Sequence, residues 1–132
     1  MMRLSIIIPV YNSAKILKKL INEINSNLSV KFDKDYEIIF VNDFSKDNSW
    51  EIIKKISREF NFVKGINLSR NVGQHGAIFV GLKNSTGDRI IIMDDDLQHP
   101  PQSLISIYEQ LDKFDACYTL YLKRKHVFWK IF

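Results

Sequence analysis

The chain carries one cysteine, Cys117, among 132 residues, so it has no internal disulfide. Its place in the run Ala116-Cys117-Tyr118 reads as a buried, inert thiol in a reducing compartment. No apolar stretch approaches the roughly 20 residues of a transmembrane helix, and the N-terminus enters a strand pattern without the regions of a signal peptide. Together these absences predict a soluble, cytoplasmic domain. Neither G-x-G-x-x-G nor G-x-x-x-x-G-K-[ST] occurs, which removes the dinucleotide-binding and P-loop readings. Low-complexity tracts and internal repeats are also missing. A net charge of +4, from 19 Lys and Arg against 15 Asp and Glu, is too small and too dispersed to call for nucleic acid.

What is present is 45% apolar and 26% charged, enough for one core in a single domain spanning 1–132. Leu4 to Pro9 is an apolar run of strand length, and Ser13 to Leu28 then puts Ile16, Leu17, Leu20, Ile21, Ile24 and Leu28 on one helical face. Tyr36 to Val41 is a second strand. Asp47 to Phe60 follows as an amphipathic helix, with Ser45, Asp47 and Asn48 as capping candidates. Val63 to Leu68 is a third strand, and a turn through Arg70 and His75 leads to a short helix near Gly76 to Lys83. Arg89 to Met93 is a fourth strand whose unbroken apolar run predicts cover on both faces. A helix from about Pro101 to Leu111 and a fifth strand from Ala116 to about Leu122 complete the alternation.

Such alternation predicts an α/β fold with a mainly parallel sheet, helices on both faces and right-handed crossovers. These sheets bind ligands at the carboxyl ends of strands, where the strand order reverses. With the order 3-2-1-4, Pro9-Val-Tyr11-Asn12, Asn42-Asp43 and Asp94-Asp-Asp96 would meet at one crevice. Three successive aspartates after a buried strand repel one another unless something compensates. Magnesium (Mg2+) or manganese (Mn2+), bound by Asp94 and Asp96 with Gln98 as a neutral ligand, is the simplest compensation, and substrate phosphates would complete the shell. A solvated acidic turn, or Asp96 as a helix cap, is the plainer alternative. Asp43 offers an acceptor for the imide N–H of uracil or guanine, Tyr11 a surface for the base, and Arg70 a base or phosphate contact. Each also has an ordinary reading, as turn residue, strand-end aromatic and surface arginine respectively. Haloacid-dehalogenase-like phosphatases also use Asp-X-Asp, but after their first strand and not the fourth.

Four segments taken in order, SIIIPVYN, YEIIFVNDFSKDNS, LSRNVGQHGAIFVGL and GDRIIIMDDDLQHPP, resemble glycosyltransferase family 2 of the GT-A fold. The likeness is greatest to its polyprenyl-phosphate branch and runs from about Leu4 to about Pro101. It implies a Rossmann-like GT-A domain that binds a nucleotide sugar, a UDP-sugar being favoured, and an inverting, metal-dependent transfer to a polyprenyl phosphate or a cell-surface glycan precursor. Pro9, Tyr11 and Ser13 then look like the base and ribose entry, Val41 with Asp43 like the base-recognition strand end, and Arg70 like the nucleotide-contacting arginine. Asp94 and Asp96 fall on the metal positions, Asp95 near the ribose and Gln98 on a third ligand position. The sequence departs from the family where Asp95 replaces the usual Ala, Phe44 a usual Gly, and Asn42 a common acidic residue.

The acceptor decides whether a base is needed, since a sugar hydroxyl requires one whereas a lipid phosphate is already ionised and needs only positioning. The segment 123–132 mixes Lys123, Arg124, Lys125 and Lys130 with aromatic rings, a composition that suits a membrane interface or an anionic headgroup, or else a helix packed on further parts of the domain. By resemblance, Lys123 lies near the acceptor phosphate. The apolar end without a stop signal leads us to expect a longer natural protein at the cytoplasmic face of a membrane, for which the resembled branch implies an anchor. A binding-only, catalytically incomplete fragment is the alternative.

Overall fold

The computed structural model describes residues 4–98 and 100–118. The elements are β1 (Leu4–Val10), α1 (Leu17–Phe32), β2 (Tyr36–Asn42), α2 (Ser49–Glu59), β3 (Val63–Asn67), α3 (Gly73–Asn84), β4 (Arg89–Ile92) and α4 (Ser103–Gln110). The sheet order is β3-β2-β1-β4, and every pairing is parallel. Both the order and the helices on opposite faces agree with the expectation from sequence.

Side chains alternate across β1 and β2, so each strand feeds two cores. Ile6, Ile8, Val10, Ile38 and Phe40 join α1, α2 and Leu104 of α4 in the larger one. Ile39 and Val41 pack under α3 with Ala77 in the smaller. Burying each such Ile, Val or Leu contributes about 1.5–3 kcal/mol, which explains why unbroken apolar runs form the two central strands. Helix α3 lies close on the sheet because residue 81 is glycine: a Cβ there would collide with Ile7 Cγ2.

Three expectations change. Helix α1 begins at Leu17, not Ser13, because Ser13 to Ile16 forms a turn closed by Ile16 N–H donating to Ser13 O at 3.1 Å. Among the described residues strand β4 is not covered on both faces: Ile91 and Met93 are buried, whereas Ile90 and Ile92 are 36% and 46% exposed. The cause is position, since β4 is an edge strand among the described residues and α3 packs on β1 and β2. Cys117 is exposed and not buried, because residues 116–118 follow α4 without forming the predicted strand. The rest of that strand, to Leu122, lies outside the described residues, as does Lys123.

At the amino ends of the strands a buried carboxylate joins four segments. Glu37 of β2, 1% exposed, accepts hydrogen bonds from Ser5 Oγ at 2.6 Å, Thr86 N at 2.6 Å and Thr86 Oγ1 at 2.9 Å. Its other oxygen lacks a directed hydrogen bond among the described residues and is matched by Lys64 Nζ at 2.6 Å. Burial alone would raise the Glu37 pKa, but the Lys64, Ser5 and Thr86 contacts outweigh it and lower the pKa from 4.5 to about 2. A lowered folded-state pKa means that the contribution to stability is complete above 4.5 and fades as pH falls towards 2. Glu37→Gln is therefore expected to cost about 1–3 kcal/mol at neutral pH. In thermal melts, the gap between wild type and variant should close as the pH is lowered through that window; a gap independent of pH would refute the assignment.

Candidate functional site

The register of β1 brings the three polar strand ends together. Val10 pairs with Asn42, and Asp43 N–H donates to Val10 O at 2.8 Å, so the chain leaves β1 and β2 side by side. On the other side Ile7 pairs with Ile92, and Met93 N–H donates to Ile7 O at 3.1 Å. Continuing that register sets the aspartates beside the end of β1. Each exit then turns sharply through one residue of positive φ: Asn12 at 53°, Phe44 at 58° and Leu97 at 59°. Asn tolerates that left-handed conformation, but Phe and Leu hold it at a cost of order 1 kcal/mol.

The resulting cleft, of about 410 Å3, is lined by Pro9, Val10 and Tyr11 after β1, Asp43 after β2, Asn71, Gly73 and Gln74 at the start of α3, and Asp94, Asp95 and Asp96 after β4. Of the residues singled out in the sequence, Pro9, Tyr11, Asp43 and the three aspartates meet here. Ser13 joins through Asp95. Arg70 is exposed in the turn before α3 and outside the lining, and the side chain of Val41 is buried beneath α3. A separate groove of about 460 Å3 runs between β4 and α4, with mostly apolar walls and none of the three aspartates.

The three carboxylates do different things. Asp94 Oδ1 accepts a hydrogen bond from Gln74 Nε2 at 2.9 Å. Asp95 turns toward β1, where its Oδ2 accepts from Ser13 Oγ and from Tyr11 N at 3.4 Å. Asp96 Oδ1 accepts from Gln98 N at 3.0 Å. Burial raises the Asp95 pKa and outweighs the lowering by the Ser13 and Tyr11 hydrogen bonds. Asp95 therefore fastens the β4 exit to the β1 exit.

Among the described residues no three His, Cys, Asp or Glu side chains form a metal-sized cluster. The carboxylates that could hold a cation are two, Asp94 and Asp96, each with one oxygen engaged by a neutral N–H donor. This fits the hard cations that bind through one or two carboxylates and take their other ligands from water and substrate phosphate. It does not fit a closed protein cage.

Asp43 is 4% exposed, and its Oδ1 accepts from Val72 N at 2.7 Å while its carbonyl accepts from Asn71 Nδ2 at 3.1 Å. It thereby anchors the approach to α3 as well as lining the cleft. Sequence reasoning missed the hub role of Asn12. Its N–H donates to Ser45 Oγ at 3.0 Å, its Oδ1 accepts from Lys46 N at 2.7 Å, and Ser45 Oγ donates to Asn42 Oδ1 at 2.5 Å. Asp47, predicted as a cap, accepts from Ser49 N at 2.9 Å and from Ala14 N at 3.1 Å, so it ties α2 to the β1 loop. Burial opposes its ionisation, yet the Ser49 and Ala14 bonds prevail and lower its pKa.

Residues 5–130 match the family profile described as Glycosyl transferase family 2. The chain belongs to that family. Among solved structures, S. aureus TarS 1-349 shares 28% identity with a TM-score of 0.70, over 85% of this chain and 33% of that 1-349 chain. The same protein in complex with UDP-GlcNAc shares 30% identity, TM-score 0.61, over 72% and 27% of the two chains. The mannosyltransferase PcManGT from Pyrobaculum calidifontis, in complex with GDP-Man and Mn2+, shares 20% identity and a TM-score of 0.69, over 80% and 30%. That last likeness speaks for the fold alone. This family 2 chain spans about a third of the length of the structures it matches.

Because Asp95 closes the β1 exit, Asp95→Ala should free Tyr11 to Ser13. Amide exchange at Tyr11 is expected to speed up by about tenfold, the equivalent of one lost hydrogen bond to a charged group, with Ile6 and Ile8 unchanged. Equal protection of Tyr11 in both proteins would show that the contact does not hold the loop.

Proposed function

We propose that the chain is the donor-binding part of a glycosyltransferase that moves a sugar from a nucleotide sugar, with a metal ion held by Asp94 and Asp96. The observation that carries this reading is the meeting of Asp43, Tyr11 and the Asp94 to Asp96 run in one cleft at the strand-order reversal of a family 2 chain. Such a crevice is where open α/β sheets receive nucleotides. A uridine nucleotide is the favoured donor, supported by the likeness to TarS, which has been solved with UDP and with UDP-GlcNAc.

The chemistry follows from the positions of the side chains. Tyr11, 46% exposed, offers a face for the base, and Asp43 offers a carboxylate acceptor deep in the cleft for an imide N–H. Asp94 and Asp96, which line the same cleft, would face the diphosphate, and Asp95 holds the β1 loop that carries Tyr11. A divalent cation, when bound, supplies neutralisation of the charge that develops as the diphosphate leaves. Gln98, whose N–H supports Asp96, is the third ligand candidate.

For the acceptor we propose a polyprenyl phosphate at a membrane surface. This is supported by the resemblance of the four motifs to that branch and by the cationic and aromatic composition of 123–132, where Lys123 would meet the phosphate. Such an acceptor is ionised at neutral pH and requires orientation, not deprotonation.

The reading is tested by titrating UDP into the protein in calorimetry, with Mn2+ or with EDTA. Mn2+ should tighten binding, and Asp96→Asn should remove most of that gain, by about tenfold or more. Turnover of a UDP-sugar with a polyprenyl phosphate should fall in the same variant. Nucleotide binding indifferent both to Mn2+ and to Asp96→Asn would overturn the proposal.

A further inference from the structure

Helix α3 reaches the acidic loop through one side chain that the donor-site reading does not use. Gly73, with φ of 82°, turns the chain into the helix, and Gln74 follows in the first turn. That turn is itself fixed from β2, since Asp43 Oδ1 accepts the Val72 N–H at 2.7 Å and the Asp43 carbonyl accepts from Asn71 Nδ2 at 3.1 Å. From this held position Gln74 Nε2 donates to Asp94 Oδ1 at 2.9 Å across the cleft.

A carboxylate at a strand end can rotate, and a rotating carboxylate is a poor ligand. Carboxylates that bind metals are commonly fixed by a hydrogen bond from a second residue, whose loss typically lowers metal affinity by about 10–100-fold. Gln74 is suited to this task because its amide donates without bringing a charge that would compete with a cation. Engaging Oδ1 leaves Oδ2 of Asp94 for the cation.

We propose that Gln74 is a positioning residue that orients the Asp94 carboxylate for a divalent cation, linking the first turn of α3 to the diphosphate end of the cleft. This rests on the donor-site reading above. It also gives Asp43 an indirect part in metal binding, through the Val72 contact that sets the start of α3.

The test is UDP binding to wild type and to Gln74→Ala, each in Mn2+ and in EDTA, with Mn2+ titrated alone as a second probe. In the variant, UDP affinity in Mn2+ and affinity for Mn2+ alone should each fall about tenfold, while the loss in EDTA is much smaller. A merely structural role for Gln74 would weaken binding equally with and without metal, and that result overturns the proposal, as does unchanged binding in Mn2+. Should Gln74→Ala fail to fold, Gln74→Met, of similar length and lacking the donor, carries the same comparison. If wild type binds UDP without any response to Mn2+, the donor-site reading falls and this inference with it. If wild type responds to Mn2+ and Asp96→Asn abolishes the response while Gln74 variants retain it, only the inference falls.

Discussion

The pairing of β1 with both β2 and β4 is the constraint on which the rest depends. It makes β1 the point where the strand order reverses, so α1 and α3 lie on opposite faces of the sheet and a crevice opens between the strand ends. It also sets height. With Val10 opposite Asn42 and Ile7 opposite Ile92, the polar residues just beyond each strand arrive together, and a slip of one residue on β4 would turn Asp95 away from Tyr11. The apolar runs that hold this register, Ile6 to Ile8 and Ile38 to Val41, are wholly buried.

Polar side chains finish each end of the sheet, with opposite consequences. At the amino ends, Glu37 is surrounded by donors and matched by Lys64, so its charge favours the folded state. At the carboxyl ends, Asp94, Asp95 and Asp96 are neighbours of like charge, with one neutral donor each on Asp94 and Asp96 and two on Asp95, and burial of Asp95 works against ionisation. One end is electrostatically complete within the chain. The other keeps like charges side by side, a pattern more common at functional sites than in structural ion pairs.

Much of this was legible from residue order. Runs of strand length, amphipathic helices and the placing of Asp43 and Asp94 to Asp96 directly after strands are local signals; they predicted the parallel sheet and, on the condition of a 3-2-1-4 order, most of the cleft. Other features escaped because they depend on contacts between distant segments. Asn12 meets Ser45 across 33 residues, and Tyr11 meets Asp95 across 84, neither of which leaves a periodic trace. The cover predicted for β4 failed for a related reason: an apolar run shows that a strand can be buried, while the placing of α3 over β1 and β2 decides which faces are.

By itself, the sequence determined the alternation of elements and the supply of carboxylates at strand ends, because both follow from side-chain chemistry at short range. Only the tertiary structure decided how the carboxylates divide their work. Asp95 faces β1 because Ser13 and Tyr11 are there to donate to it, Asp94 faces α3 because Gln74 reaches it, and Asp96 is held by its own loop through Gln98. Three identical residues in a row carry no local signal that separates them. Their roles differ because each meets a different neighbour, and those neighbours are brought close by the register of the strands.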